Sequence, residues 1–246
     1  MGGEVMGGEA MGGEAMGGAS RAGEVLAAAL DLAAPAECGG CGRPGTPWCR
    51  RCASAVVDDP IALTPRVELD VAAWAAGRYR GPLARAVVEL KEHRRRDLIP
   101  VLGQVLSHGL LRLAEWEQLP TARRLALIPA PTRAVAARRR GGDPVTAIAR
   151  SAADRLGPHV AVVPLLSTAP WTRDSAGLSA GRRMANLHGA VAVSRTRPAG
   201  LRPPHRDVAV VLIDDVLTTG ATAAAAVAAL RGAGITVASA VVVASA

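Results

Sequence analysis

The chain has 246 residues, half of them hydrophobic, and a formal net charge of +8. That length can hold one α/β domain of about 200 residues and a small additional module, and because the chain has no Phe, Ala, Val and Leu must build its core. The positive charge favours anionic ligands such as phosphorylated metabolites or nucleic acid. With only four Trp and one Tyr, the aromatic stacking that usually holds single-stranded nucleic acid can contribute little.

The N-terminal segment, residues 1–19, repeats a pentapeptide that begins Met-Gly-Gly. Gly at this density can neither bury apolar surface nor hold a helix, so a disordered tail is predicted. Apolar side chains then recur at helical spacing over residues 21–33, behind Ser20 as an N-cap, which predicts a short amphipathic helix. No run of about 18 apolar residues without charge or Pro occurs, so we expect no membrane span and a cytoplasmic protein.

Two C-x-x-C pairs contain all four cysteines: Cys38 with Cys41, and Cys49 with Cys52. Pairs this close can place four thiolates tetrahedrally around one Zn²⁺, and the Gly residues inside the first pair permit a tight turn. Disulfides are the alternative, but they suit oxidising compartments, and nothing in the sequence indicates export. Residues 20–60 are therefore predicted to form a helix and a small zinc-ribbon-like module, whose four Cys ligands leave no open position for catalysis.

After a polar connection at residues 58–65, a second domain is predicted over residues 67–246. Periodicity and turn residues predict helices at 83–93, 98–116, 145–156 and 221–230, and strands at 71–77, 125–131, 160–166, 190–193, 210–213 and 235–243. Strands that alternate with helices imply an α/β fold with a parallel sheet and helices on both faces. Ligands of such sheets bind beyond the carboxyl ends of the strands.

The predicted strand at 210–213 leads into Asp214 and Asp215, a Thr-Thr-Gly turn and an alanine-rich helix. The N-terminus of a helix presents N–H groups and a positive dipole to an anion, Gly220 lets the backbone come close, and Thr hydroxyls can donate hydrogen bonds. Adjacent acids can accept from two vicinal hydroxyls. This order predicts a ribose 5-phosphate site, and the alternative is an ordinary strand–turn–helix unit in which Thr caps the helix.

The same segment resembles the phosphoribosyl-pyrophosphate motif of the type I phosphoribosyltransferases. The resemblance implies that Asp214 and Asp215 hold the ribose 2- and 3-hydroxyls and that the sheet is of the type I phosphoribosyltransferase kind. It further implies that the residues which follow the acids wrap the 5-phosphate: Leu217, Thr218, Thr219, Gly220, Ala221 and Thr222.

From about residue 26 onward the chain resembles the ComF family, proteins linked to competence for DNA uptake that carry a phosphoribosyltransferase-type domain. The shared features, in chain order, are the four-cysteine module, Tyr79-Arg80-Gly81-Pro82-Leu83, a helix ending in Leu90-Lys91, Pro129-Ala130-Pro131, Arg140-Gly141, Leu178-Ser179, Arg183, Asn186 and the phosphoribosyl motif. The chain departs from the family pattern in loops that would contact pyrophosphate or the second substrate, at Gly142, Asp143, Pro144, Ser175 and Arg182.

This resemblance implies a protein that binds phosphoribosyl pyrophosphate with Mg²⁺ and transfers the phosphoribosyl group to an acceptor. Arg140, Arg183 and Lys91 would then stabilise the departing pyrophosphate, and Lys91 is also the only lysine of the chain. The alternative is a non-catalytic adaptor for DNA uptake that contacts single-stranded DNA or a helicase partner. A third interpretation is a regulator that binds phosphoribosyl pyrophosphate without turnover.

Overall fold

The computed structural model describes residues 37–131, 142–168, 191–196, 198–201 and 207–245. The repeat at 1–19, the predicted helix at 21–33, Arg140 and Arg183 lie outside the described residues. The helices are α1 (Arg50–Ala55), α2 (Gly81–Glu92), α3 (Ile99–Glu115), α4 (Pro144–Leu156) and α5 (Ala221–Gly232), with single 3-10 turns at Arg96–Leu98 and Ala199–Leu201. The strands are β1 (Ile61–Leu63), β2 (Ala72–Ala75), β3 (Arg124–Pro129), β4 (Val160–Val162), β5 (Leu166–Thr168), β6 (Val191–Val193), β7 (Val208–Leu217) and β8 (Ser239–Ser245).

Six strands form one sheet in the order β1-β2-β8-β7-β3-β4. All neighbours in it are parallel except β1 and β2, which run antiparallel. The strands β5 and β6 pair with each other in a separate antiparallel sheet. The predicted α/β fold with a mostly parallel sheet is confirmed.

Alternate residues of the central strands face two separate hydrophobic cores. Val211 and Ile213 of β7 pack in one core with side chains of α2, α3 and α4. Val210 and Leu212 pack in the other core with α5. Because side chains alternate across a strand, this pattern means that helices cover both faces of the sheet, as the sequence predicts.

Several strand boundaries differ from the predicted ones. The run at 160–166 is divided between β4 and β5, since Pro164 between them has no N–H to donate to a ladder. The predicted connection at 58–65 contains β1, which is held by its pairing with β2. The last strand begins at Ser239 rather than at residue 235, because the apolar Ile235 and Val237 are buried against the core of α5 instead of pairing in the sheet.

The chain enters α4 through Asp143, one of the positions that depart from the ComF pattern. Its carboxylate accepts hydrogen bonds from the N–H groups of Val145 and Thr146, both at 3.2 Å. Pro144 occupies the first helical position, where a missing N–H does no harm. This departure therefore has a local structural role, that of a helix N-cap.

Candidate functional site

The Sγ atoms of the four cysteines (Cys38, Cys41, Cys49 and Cys52, the four-cysteine cluster) lie within 4.8 Å of one another. The Sγ–Sγ distance is 3.7 Å both for Cys38 with Cys52 and for Cys41 with Cys49. A disulfide requires about 2.05 Å, whereas tetrahedral Zn²⁺ with bonds of about 2.3 Å separates its sulfurs by about 3.8 Å. All four cysteines are free thiols, and the cluster can bind a structural metal ion such as zinc.

The surroundings of the cluster favour thiolates unequally. Burial alone would raise the pKa of Cys38, but the N–H groups of Cys49, Gly40 and Cys41 outweigh it and lower this pKa to about 6. The Cys49 N–H lies 3.3 Å from the Cys38 sulfur. Burial, followed by the neighbouring sulfurs, raises the pKa of Cys52. A divalent cation at the centre of the cluster would lower the pKa of Cys52 again, since it stabilises the thiolate form.

Gly39 and Gly40, inside the first cysteine pair, are required for space. Neither has a positive φ, so the turn itself does not need the conformational freedom of Gly that the sequence suggests. A Cβ on Gly39 would lie 2.5 Å from Leu98 Cδ1, and a Cβ on Gly40 would lie 2.8 Å from the Cys52 sulfur. The first pair is therefore packed tightly between the second pair and the turn that precedes α3.

Two arginines connect the four-cysteine cluster to α2. The guanidinium of Arg85, in α2, approaches Gly42, and Arg95, beyond the end of α2, donates to the Glu37 carbonyl at 2.9 Å. Arg95 also bonds Asp97, which lowers the pKa of that carboxyl. These contacts hold the cluster beside the helix that carries Lys91.

The predicted phosphate-binding segment joins β7 to α5. The strand continues through Asp214 and Asp215 to Leu217 and pairs with β8 over this length. The two acids thus lie inside the strand, and the prediction that they end it is wrong, because pairing with β8 extends the strand beyond its apolar run. The turn that follows, residues 218–220, ends at Gly220 with φ +86°. We call residues 218–220 the phosphate turn.

The N-terminus of α5 has no side-chain cap. Within the described part of the chain, the nearest substitute is Thr219 Oγ1, which accepts a long bond of 3.4 Å from the Ala221 N–H. The side chains of Thr218 and Thr219 are exposed. Unsatisfied N–H groups and the positive end of a helix dipole favour an anion at such a position. The structure thus brings together the six residues predicted to wrap the phosphate: Leu217, Thr218, Thr219, Gly220, Ala221 and Thr222.

A second segment, residues 65–67, crosses the phosphate turn. The Val67 N–H donates to the Thr219 carbonyl at 2.9 Å. A Cβ on Gly220 would lie 2.7 Å from Pro65 Cβ and 3.0 Å from the Val67 carbonyl oxygen. Gly220 is therefore required twice, for its positive φ and for the close approach of this segment.

Asp214 and Asp215, which we call the acid pair, are both partly buried, and the carboxyl of Asp214 is well enclosed by protein. Burial, and then the charge of Asp215, raise the pKa of Asp214 from 3.8 to about 7. Two influences oppose this shift: Asp214 Oδ1 accepts from the Asp215 N–H at 2.8 Å, and the positive charge of Lys91 favours the carboxylate. Asp214 is therefore divided between its neutral and ionised forms near pH 7.

Lys91 forms an ion pair with Asp215, with 2.9 Å between Nζ and Oδ1. Lys91 lies in the last turn of α2, and its side chain is 29% exposed against 13% for that of Asp215. The same Asp215 Oδ1 accepts from the Val216 N–H at 2.6 Å. The only lysine of the chain is therefore placed at the acid pair. Its expected action on pyrophosphate, together with Arg140 and Arg183 outside the described residues, stays a prediction.

A cavity of about 560 Å³ opens beside the phosphate turn. It is lined by residues 62–66, residues 217–219 and Ser245, and its volume falls within the range of small-molecule sites. Among the described residues that line this cavity and the smaller cavity beside Trp48, neither Asp214 nor Asp215 occurs. The sequence interpretation overlooked residues 62–66, although a short apolar run between Pro60 and Pro65 could have indicated a strand and a stiff turn.

No model of a known protein family matches the chain, and a comparison with curated proteins finds no match. Within the described ranges, no helix has both the length and the apolar character needed to cross a membrane. The functional conclusion therefore depends on the geometry of the residues themselves.

Proposed function

We propose that the protein binds phosphoribosyl pyrophosphate, or a related sugar phosphate, with Mg²⁺ at the end of β7. The observation that supports this best is the position of a partly buried acid pair just before a helix N-terminus without a side-chain cap. Carboxylates can accept from the ribose hydroxyls, while N–H groups and the hydroxyls of Thr218 and Thr219 can donate to the 5-phosphate. The two recognition elements are adjacent in the chain, as a sugar phosphate requires.

The acid pair also suits a Mg²⁺ ion that arrives with the ligand. Asp214 and Asp215 together face the single positive charge of Lys91, so their full ionisation would leave one negative charge uncompensated. Mg²⁺ prefers oxygen ligands, so Asp214 and Asp215 together with oxygens of the ligand would hold it, and the ion would neutralise charge that develops on the pyrophosphate during transfer. The negative charge of the two carboxylates would attract the ion, and the ion in turn would favour the ionised form of Asp214.

The proposal extends to transfer of the phosphoribosyl group to an acceptor. Ribose hydroxyls that bond Asp215 would compete with Lys91 for the same carboxylate, which would free the ammonium to face the pyrophosphate. The resemblance to the ComF family supplies Arg140 and Arg183 as further cations for this leaving group. If binding occurs without transfer, the same site would serve a regulator that senses phosphoribosyl pyrophosphate.

Calorimetric titration with phosphoribosyl pyrophosphate and Mg²⁺ tests the binding step. Asp215→Asn removes a charged acceptor from the site, and we expect a loss of about 1.5–3 kcal/mol in binding free energy. The matched control is Asp207→Asn, an exposed acid just before the opposite end of β7, which should bind as the wild type does. Equal affinities for both variants would show that Asp215 does not contact the ligand.

Turnover is tested separately with isotope-labelled phosphoribosyl pyrophosphate. Release of pyrophosphate that depends on an added nucleobase or amine would support a transferase. Tight binding with no turnover for any acceptor would instead support the regulator, and would count against transfer.

A second candidate function, a non-catalytic adaptor that binds single-stranded DNA, is favoured by one observation. Exposed arginines accompany the four-cysteine cluster. Arg43, Arg50 and Arg51 lie between its cysteines in the chain, and Arg85 on α2 approaches Gly42. With few aromatic residues, such binding would be electrostatic, and its affinity should fall with log salt at a slope of about −0.7 per phosphate contact. Fluorescence anisotropy with an oligothymidylate tests this, and binding that ignores salt would exclude it.

A further inference from the structure

The cavity beside the phosphate turn is lined by an arginine, Arg66, that has no role in the proposed contacts of the acid pair or of the helix N-terminus. Arg66 lies on the wall formed by residues 62–66 and is exposed. Among the described residues it has no ion-pair partner. A guanidinium on a cavity wall that forms no ion pair is available to an anionic ligand.

The other residues that line the cavity also favour an anion. Hydroxyls come from Thr64, from Thr218 and Thr219 of the phosphate turn, and from Ser245 at the end of β8. No Asp or Glu is among the residues that line the cavity. One fixed positive charge, several hydroxyl donors and no negative charge are the features expected of a phosphate site.

The backbone of Arg66 is held in place relative to the phosphate turn on both sides. Pro65, whose ring fixes φ, packs close to Gly220. Val67 is hydrogen-bonded to the Thr219 carbonyl at 2.9 Å. Because both chain neighbours of Arg66 contact the turn, its Cα keeps a set distance from Thr218 and Thr219, and little backbone entropy is lost when a ligand binds.

We propose that Arg66 is an anion-binding residue and that this cavity takes the phosphate end of a sugar phosphate, which is contacted both by the phosphate turn and by Arg66. This inference rests on the proposed function for the identity of the sugar, but the anion site itself depends only on the cavity. A cavity of about 560 Å³ has room for more than one phosphate group, which agrees with a ligand of the size of a phosphorylated pentose.

The experiment is calorimetric titration of wild type, Arg66→Gln, Arg66→Lys, Arg123→Gln and Asp215→Asn with ribose 5-phosphate and, separately, with inorganic phosphate. Arg123 is exposed just before β3, at the amino ends of the parallel strands, whereas the cavity lies at their carboxyl ends. Its loss therefore changes the net charge equally without changing the cavity. We expect Arg66→Gln to weaken both ligands about tenfold or more, Arg66→Lys to recover part of that loss, and Arg123→Gln to stay within about twofold. Thermal unfolding of each variant checks that it is folded.

The outcomes separate the two proposals. If Arg66→Gln behaves like Arg123→Gln while Asp215→Asn weakens ribose 5-phosphate, the role of Arg66 is wrong and the sugar-phosphate site stands. If Arg66→Gln weakens inorganic phosphate while Asp215→Asn changes neither ligand, the anion site stands and the ribose contact is wrong. If the wild type binds neither ligand, both proposals are wrong.

Discussion

Replacement of Asp214 by Asn should change the way in which the stability of the protein depends on pH. Burial raises the pKa of Asp214 from 3.8 to about 7, so between these values the folded state keeps a proton that the unfolded state has lost. The favourable contribution of that proton is fully present below pH 3.8 and is lost as the pH rises through about 7. The free energy of unfolding of the wild type should therefore fall across this interval, and Asn, which does not titrate, should remove the fall.

The magnitude follows from the two pKa values. Proton linkage gives a destabilisation by Asp214 of about 2 kcal/mol at pH 5 and about 4 kcal/mol at pH 8. Asn can still accept from the Asp215 N–H through its side-chain oxygen, so the bond that Asp214 makes at 2.8 Å can be kept. The stability of Asp214→Asn relative to the wild type should therefore increase by about 2–3 kcal/mol from pH 5 to pH 8.

Urea denaturation followed by Trp fluorescence, at several pH values between 5 and 8, measures this difference. Asp207→Asn, at an exposed position just before β7, is the control and should stay within about 0.5 kcal/mol of the wild type throughout. A difference between wild type and Asp214→Asn that is constant over this range would refute the argument, because it would mean that Asp214 does not gain its charge there in the folded protein.

Three further predictions concern other parts of the site. Gly220→Ala should lower the free energy of unfolding by at least about 1–2 kcal/mol, measured by urea denaturation, whereas Gly232→Ala, where a Cβ would meet nothing within 4 Å, should not. Lys91→Met should leave Asp215 without its cation. Because Lys91 lowers the pKa of Asp214, the protonation of Asp214 should then occur at higher pH, which two-dimensional NMR of the carboxyl can follow. If the pH of this protonation does not move, the ion pair is contradicted. The purified protein should contain about one Zn²⁺ per chain by mass spectrometry of metals, and Cys41→Ser should lose it and lower the melting temperature; a chain that is equally stable without metal would rule out a structural zinc ion.

The features that the sequence predicted well are those whose residues are close together in the chain. Cys38 to Cys52 span one short loop, and their spacing alone indicates that the four sulfurs can meet, as they do. The phosphate turn is likewise a local strand–turn–helix unit, in which Gly220 is required by its own φ. In both cases short-range geometry decides the structure, and a sequence pattern reports short-range geometry directly.

The features that the sequence did not predict depend on contacts between distant segments. The ion pair between Lys91 and Asp215 joins α2 to β7, and no local pattern shows that the end of this helix meets this strand. The wall that carries Arg66 is a similar case, because its position follows from the bond between Val67 and Thr219. The division of the run at 160–166 is different, since Pro164 was visible in the sequence and should have indicated the break.

The interior position of β8 has a consequence for the order of folding. This strand separates β2 from β7. Its first residue, Ser239, pairs with Ala72 of β2 on one side and with Val211 of β7 on the other. The early hairpin of β1 and β2 therefore has no partner in the main sheet until a strand made much later in synthesis inserts beside it. Such non-local closure slows folding, and we expect the nascent chain to expose an unpaired strand edge, open to chaperones or to aggregation, until residues 239–245 have left the ribosome.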